Sequence, residues 1–243
     1  MASLPPPPPD LLDGAALFLD FDGTLVDLAD TPDAIRVAPG LAPMLERLRA
    51  RLGGRLAIVS GRSIVDLERH LPLHGIAFSG SHGLELRFAD GTRLPLSVPA
   101  GLDAAREAVT GFVDGRPGLL VEEKPAGIAL HYRLAPQAQA EVETFMAALG
   151  HAHGFTLQGG KMVAELRADG ADKGDAVRAF MMEPGFAATI PVFVGDDLTD
   201  EHAFEAVAAL GGAGVLVGPE RDTAARYRLP SVEAVARWLS PAA

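Results

Sequence analysis

The chain contains no cysteine, so disulfides, thiolate metal ligands and a cysteine nucleophile are all excluded and any chemistry falls to oxygen and nitrogen groups. Positive charge is also scarce. Lys and Arg number 21 against 32 Asp and Glu, a formal net charge of −11, which argues against nucleic acid or an anionic membrane surface as a partner. Long apolar runs are missing as well: Ala15 to Leu19 ends at Asp20, far short of the ~18 residues a membrane span requires. The opening MASLPPPPPDLL has neither the cationic nor the apolar region of a secretion signal, and a soluble, cytoplasmic protein is expected. There is no internal repeat and no run of like charge. What is present is ordinary globular material: 243 residues, 48% hydrophobic and 22% charged. That is enough for one large domain, or for a domain carrying an insertion.

The five prolines Pro5 to Pro9 favour an extended, solvated polyproline leader over residues 1–12. Ala15 to Leu19 then reads as a buried strand that runs straight into the turn-forming Asp20-Phe-Asp22-Gly23-Thr24. Leu41, Met44, Leu45, Leu48 and Leu52 form one helical face closed by Gly53-Gly54. Arg55 to Val59 is a second buried strand, ending in Ser60-Gly61-Arg62. Such βα alternation implies a parallel sheet. Between about residues 99 and 166 the pattern becomes helices mixed with short alternating strands, an α+β insertion. Alternation then resumes, with Asp172 capping a helix and Ile190 to Val194 ending in Gly195-Asp196-Asp197. The expected fold class is therefore α/β: a Rossmann-like parallel-sheet core over 13–98 and 167–243, with an inserted α+β cap over 99–166.

Ligands of open α/β sheets bind beyond the carboxyl ends of the strands. Asp20, Asp22, Ser60, Asp196 and Asp197 each follow a strand and should converge there. Carboxylates so gathered repel one another unless a cation neutralises them. Hard oxygen donors suit Mg²⁺, which commonly keeps waters and binds a substrate phosphate. The Asp20-x-Asp22 spacing allows one carboxylate to attack while the other faces the leaving group, a division that suits phosphoryl transfer.

In order, Asp20-Phe-Asp22-Gly23-Thr24-Leu25, Ser60-Gly61-Arg62, Lys173-Gly174 and Gly195-Asp196-Asp197 closely resemble the four motifs of the haloacid dehalogenase superfamily. The resemblance implies Mg²⁺-dependent phosphotransfer, with Asp20 as nucleophile and Asp22 as general acid/base. It implies that Ser60 and Lys173 hold the phosphoryl group, and that Asp20, the Asp22 main-chain carbonyl and Asp196 bind the metal. Asp197 is grouped with these metal residues. Asp200 is read either as an orienter of the metal shell or as a first-turn acid favoured by the helix dipole. Gly23 and Arg62, inside the same motifs, are further substrate-binding candidates.

A narrower resemblance covers nearly the whole chain after the leader. Gly80-Ser-His82-Gly83-Leu-Glu85, Val121-Glu122-Glu123-Lys124, Ala129-Leu-His131-Tyr-Arg133, Gly159-Gly-Lys161-Met-Val-Ala-Glu165 and Gly195-Asp-Asp-Leu-Thr-Asp200-Glu201 are similar to trehalose-6-phosphate phosphatases. One departure is Leu-Arg-Ala after Glu165, where that family often has a proline. The family implies that Glu122, Lys124 and Glu165 grip the distal glucose. His82, His131 and Arg133 are candidates for substrate contact, His82 equally for stabilising its turn. The expected activity is hydrolysis of trehalose 6-phosphate, with a functional link to a trehalose-phosphate synthase. The alternatives are a phosphatase of another sugar phosphate, a phosphomutase, a non-enzymatic phospho-receiver and a pseudoenzyme bound to a synthase. Cap and core are expected to hinge near 97–101 and 166–170.

Overall fold

The structure is a computed structural model and describes residues 3–29, 34–96 and 98–240; residue 97, in one of the expected hinges, lies outside them. Eleven strands form two sheets among these residues. The first holds β1 (Ala16–Leu19), β2 (Leu56–Val59), β3 (Ala77–Gly80), β4 (Glu85–Arg87), β9 (Pro191–Gly195), β10 (Ala213–Val217) and β11 (Tyr227–Leu229). Their order is β11-β10-β9-β1-β2-β3-β4, parallel throughout except for antiparallel β4. β1 lies between β2 and β9, so successive connections leave it in opposite directions. That reversal opens a crevice at the carboxyl end of β1, where the chain places Asp20.

Four residues of β1 are fully buried, as a continuous apolar run in a parallel sheet should be. Ala16 and Phe18 point to one face, together with Val59, Phe193, and Phe180 and Phe204 from α5 (Lys173–Met181) and α6 (Glu201–Ala209). Each such phenylalanine contributes roughly 1.5–3 kcal/mol by leaving water. Leu17 and Leu19 alternate to the other face. Three further helices belong to this unit, α1 (Leu41–Arg51), α2 (Ile64–His70) and α7 (Val232–Leu239).

The proline segment differs from the solvated leader expected of it. The Arg228 backbone N–H on edge strand β11 donates to the Pro5 carbonyl at 3.0 Å, and Pro7 and Leu12 are buried. Prolines have no N–H to offer a further strand, so an edge covered by them is closed to additional pairing. Composition alone describes an isolated polyproline stretch; it does not reveal that an unpaired sheet edge awaits it.

The chain divides into two compact units, one holding the segments up to residue 28, 36–94 and from 171 onward, the other built on 95–170. The second contains an antiparallel sheet of order β5-β6-β8-β7, from β5 (Leu120–Lys124), β6 (Gly127–His131), β7 (Thr156–Gly160) and β8 (Val163–Arg167). Its helices are α3 (Leu102–Val113) and α4 (Gln139–His153). Leu102, Ala105 and Val109 of α3 and Val142, Met146 and Leu149 of α4 pack with Ile128, Leu130, Ala164 and Leu166, so one sheet face is apolar and covered. Period two sends Glu122, Lys124, Ala129, His131 and Glu165 to the opposite face. Among the described residues no helix is long and apolar enough to cross a membrane.

Candidate active site

Asp20 follows β1 directly, and its backbone N–H donates to Val194 O at 2.9 Å, continuing the sheet pairing to the end of β9. Its carboxylate is buried, 3% exposed. Lys173, the first residue of α5, is equally buried, and its Nζ donates to Asp20 Oδ1 at 2.7 Å and to Asp200 Oδ1 at 2.6 Å. A lysine 153 residues away in sequence thus bridges two buried carboxylates. Burial raises the Asp20 carboxyl well above the ordinary aspartate range; Lys173 opposes that shift, while Asp200 and Asp196 add to it. Burial works against the Lys173 charge as well, yet Asp20 and Asp200 outweigh it and hold its pKa above the ordinary lysine value.

Asp20, Asp196 and Asp200 each offer a carboxylate oxygen, and these oxygens lie within 4.8 Å of one another. One lysine does not neutralise three carboxylates, and an all-oxygen donor set of this kind fits a hard divalent cation. Two glycines make the cluster possible. A Cβ on Gly23, whose φ is +77°, would run into the Asp196 carboxylate, and one on Gly195 would run into that of Asp200.

Asp200 occupies the position in the cluster that sequence reading had given to Asp197. Asp197 stands at the N-cap of the short turn that follows: its carbonyl accepts from the Asp200 N–H at 3.1 Å, and Asp200 Oδ2 accepts from the Asp197 N–H at 2.9 Å. The Asp197 carbonyl accepts from Arg221 Nη2 at 2.8 Å, which ties the loop down further.

Ser60 follows β2. Its Oγ accepts from the Arg62 N–H at 3.1 Å and its carbonyl accepts from the His82 N–H at 3.0 Å. Behind this loop lies a turn with two successive left-handed non-glycine residues, Ser81 (φ 48°) and His82 (φ 57°). Such backbone costs of order 1–3 kcal/mol per residue and persists where packing dictates it. Here the His82 ring fills the space a Cβ on Gly61 would need, at 2.5 Å, and Gly83 lies against the Asp172 carbonyl. One turn therefore backs both the Ser60 loop and the start of α5, which Asp172 caps by accepting from the Asp175 N–H at 2.8 Å.

Asp22 is half-exposed on the same side. Both its oxygens are bound by Arg62, Nε to Oδ2 at 2.6 Å and Nη2 to Oδ1 at 2.9 Å. Arg62 Nη1 donates to Asp66 Oδ2 at 2.6 Å. Burial would weaken the Arg62 charge, but Asp22 and Asp66 hold it firmly.

The other candidates gather on the face of the second sheet opposite the one that α3 and α4 cover. Lys124 Nζ donates to Glu165 Oε2, both side chains being under a tenth exposed. His131 Nε2 lies 2.8 Å from Glu122 Oε2. Burial pushes the Glu122 carboxyl up, but the His131 hydrogen bond and Lys124 outweigh it and its pKa is lowered. Registers explain the grouping: Glu122 pairs with Ala129, and Ala129 with Glu165, so a small residue separates two acids in one row. Arg133 stands beyond the end of β6, donating to the Lys161 carbonyl at 3.0 Å.

A doubly wound parallel sheet whose central strand ends in a buried aspartate, with a buried lysine and a carboxylate cluster at the strand ends, defines a chain of the haloacid dehalogenase type. The comparisons narrow this. The trehalose-phosphatase family model matches residues 18–233, and the chain belongs to that family. A probable trehalose-phosphate phosphatase of Sinorhizobium fredii is 40% identical over 227 residues, covering 92% of this chain and 86% of that protein. The trehalose-6-phosphate phosphatase of Escherichia coli is 36% identical over 236 residues, covering 95% and 87%. Among solved structures, the C-terminal domain of the C. albicans trehalose-6-phosphate phosphatase superposes with a TM-score of 0.85 at 22% identity, covering 99% of this chain and 98% of that one; at that identity the likeness speaks for the fold.

Proposed function

We propose that this chain hydrolyses trehalose 6-phosphate to trehalose and inorganic phosphate, Asp20 acting as nucleophile. The observation that carries the reading is the buried Asp20–Lys173–Asp200 bridge beside Asp196 at the carboxyl end of the central strand. An Asp20 oxygen attacks phosphorus as the bond from phosphorus to the sugar oxygen breaks. Asp22 gives a proton to that departing oxygen and later takes one from the water that cleaves the aspartyl phosphate. Lys173 and Ser60 supply donors to the phosphoryl oxygens, in a preorganised site that costs no reorganisation at the moment of reaction. Mg²⁺ suits the oxygens of Asp20, Asp196 and Asp200, and the Asp22 carbonyl; when bound, it supplies charge neutralisation at the phosphoryl group.

The unit built on 95–170 acts in this reading as the cap that selects the sugar. Glu122, Lys124 and Glu165 present paired acceptors and a cationic donor on one sheet face, a set matched to the many hydroxyls of a disaccharide. His131 and Arg133 flank it. A synthase supplying the phosphorylated disaccharide is the natural partner in the cell, and the cytoplasm the natural location.

The test is phosphate release from trehalose 6-phosphate, glucose 6-phosphate and sucrose 6-phosphate, with Mg²⁺ and with chelator. Strong Mg²⁺-dependent preference for the first supports the reading. Activity on the others alone would overturn the assignment of the cap, and retention of phosphate on the product sugar would make the enzyme a mutase.

A further inference from the structure

Arg62 is held on two sides. One edge of its guanidinium, Nε and Nη2, takes both oxygens of Asp22, while Nη1 takes Asp66. A planar fork with carboxylates on two edges has its plane and its in-plane rotation fixed. Asp66 is itself fixed: it lies in the first turn of α2, its N–H donates to the N-cap Ser63 Oγ at 3.2 Å, and its second oxygen accepts from Arg69 Nη1 at 3.2 Å. His70 Nε2 lies 3.6 Å from that same oxygen. The chain of contacts therefore runs from the start of α2, through Arg62, to the Asp22 carboxylate on the turn after β1.

We infer that Asp66 is a positioning residue for the reaction, acting through Arg62 to set where the Asp22 carboxylate stands. The inference rests on the reading of Asp22 as acid/base. To pass a proton to the departing sugar oxygen, Asp22 must free one oxygen from the guanidinium. Asp66 keeps Arg62 in place while it does so, so that the remaining Arg62–Asp22 bond still aims the carboxyl group. The proton moves from Asp22 to the leaving oxygen as the phosphorus–oxygen bond breaks, and nothing else is consumed. Without Asp66 the guanidinium loses the carboxylate that fixes its second edge, and the Asp22 bound to its first edge is aimed less sharply.

The experiment compares kcat/KM, which reports the steps up to loss of the leaving group, on two substrates with the Mg²⁺-loaded full chain. Trehalose 6-phosphate has a poor leaving group that needs a proton; para-nitrophenyl phosphate has a good one that does not. Asp66→Ala is expected to lower the ratio of the two values at least about tenfold, within the range that general acid catalysis contributes, and Asp66→Asn, which keeps an acceptor oxygen for Arg62, to lower it less. A ratio is unaffected by the fraction of protein that folds, so partial misfolding cannot imitate the effect. Asp22→Asn is the reference. If Asp22→Asn shifts the ratio and Asp66→Ala leaves it unchanged, the positioning role is wrong while the acid/base reading stands. If Asp22→Asn itself leaves the ratio unchanged, the acid/base reading fails and the inference falls with it.

Discussion

The two units assemble their charged groups by different means. In the first, Asp20, Lys173 and the Asp196/Asp200 pair come from three places in the chain and meet because sheet topology brings strand ends and a helix start together. Backbone hydrogen bonds, two glycine gaps and a strained turn hold them. In the second, Glu122, Lys124, His131 and Glu165 meet through the register of neighbouring antiparallel strands, with the side-chain pairs Lys124–Glu165 and His131–Glu122 among them. A site fixed by topology tolerates little change and suits one invariant reaction. A face fixed by register can be altered one residue at a time, which suits the selection of a substrate.

The largest effect that would break this contrast is at Asp20. Asp20→Asn is expected to lower phosphate release about 10⁴-fold or more on any ester, with the circular dichroism spectrum unchanged; appreciable residual turnover would remove it as nucleophile. Next is Lys173→Met, which strands two buried carboxylates and should cost about 3–5 kcal/mol in metal-free protein, measured by denaturant unfolding. Added Mg²⁺ should recover part of that loss; no recovery would argue against a cation beside Asp20. Deleting residues 1–9 uncovers β11 and removes the Pro5 hydrogen bond, at about 1 kcal/mol or a fall in Tm of roughly 2–4 °C. Faster exchange of the Arg228 amide should accompany it, and an unchanged exchange rate would deny the edge-capping role.

The smallest effect concerns Glu122. Its pKa is lowered in the folded state, chiefly because the His131 and Lys124 contacts overcome burial. The stabilisation is therefore present at neutral pH and is lost as pH falls from the ordinary glutamate value of 4.5 through the lowered one. Glu122→Gln should flatten that acid limb of Tm against pH; an unchanged limb would show that the pairing adds nothing.

Much of the first unit was legible because three of the four chemical motifs follow a run of apolar residues long enough to be a buried strand, as with Leu56 to Val59 before Ser60, and the fourth, Lys173-Gly174, opens a helix behind a capping Asp172. β11 was not, being only three residues, Tyr227–Leu229, with no alternation to betray it. Asp200 was read as an orienter of the metal shell or a first-turn acid; it lies fully buried against Lys173. Its signal was Gly195, whose missing side chain leaves the room that Asp200 fills. Arg62 was read toward substrate, whereas its i,i+4 spacing to Asp66 already hinted at a structural partner. In the second unit Glu122, Lys124 and Glu165 could be named, but which acid takes the lysine depends on a register that sequence patterning leaves open.

The most direct test of the division of labour is the ratio of kcat/KM for trehalose 6-phosphate to that for para-nitrophenyl phosphate, in the unaltered chain and in Glu165→Gln and Lys124→Met. A cap that selects the sugar predicts that each substitution lowers the ratio about 10²-fold, by the loss of buried hydrogen bonds to substrate hydroxyls, with the aryl ester hydrolysed as before. A ratio that stays the same in both variants would contradict it.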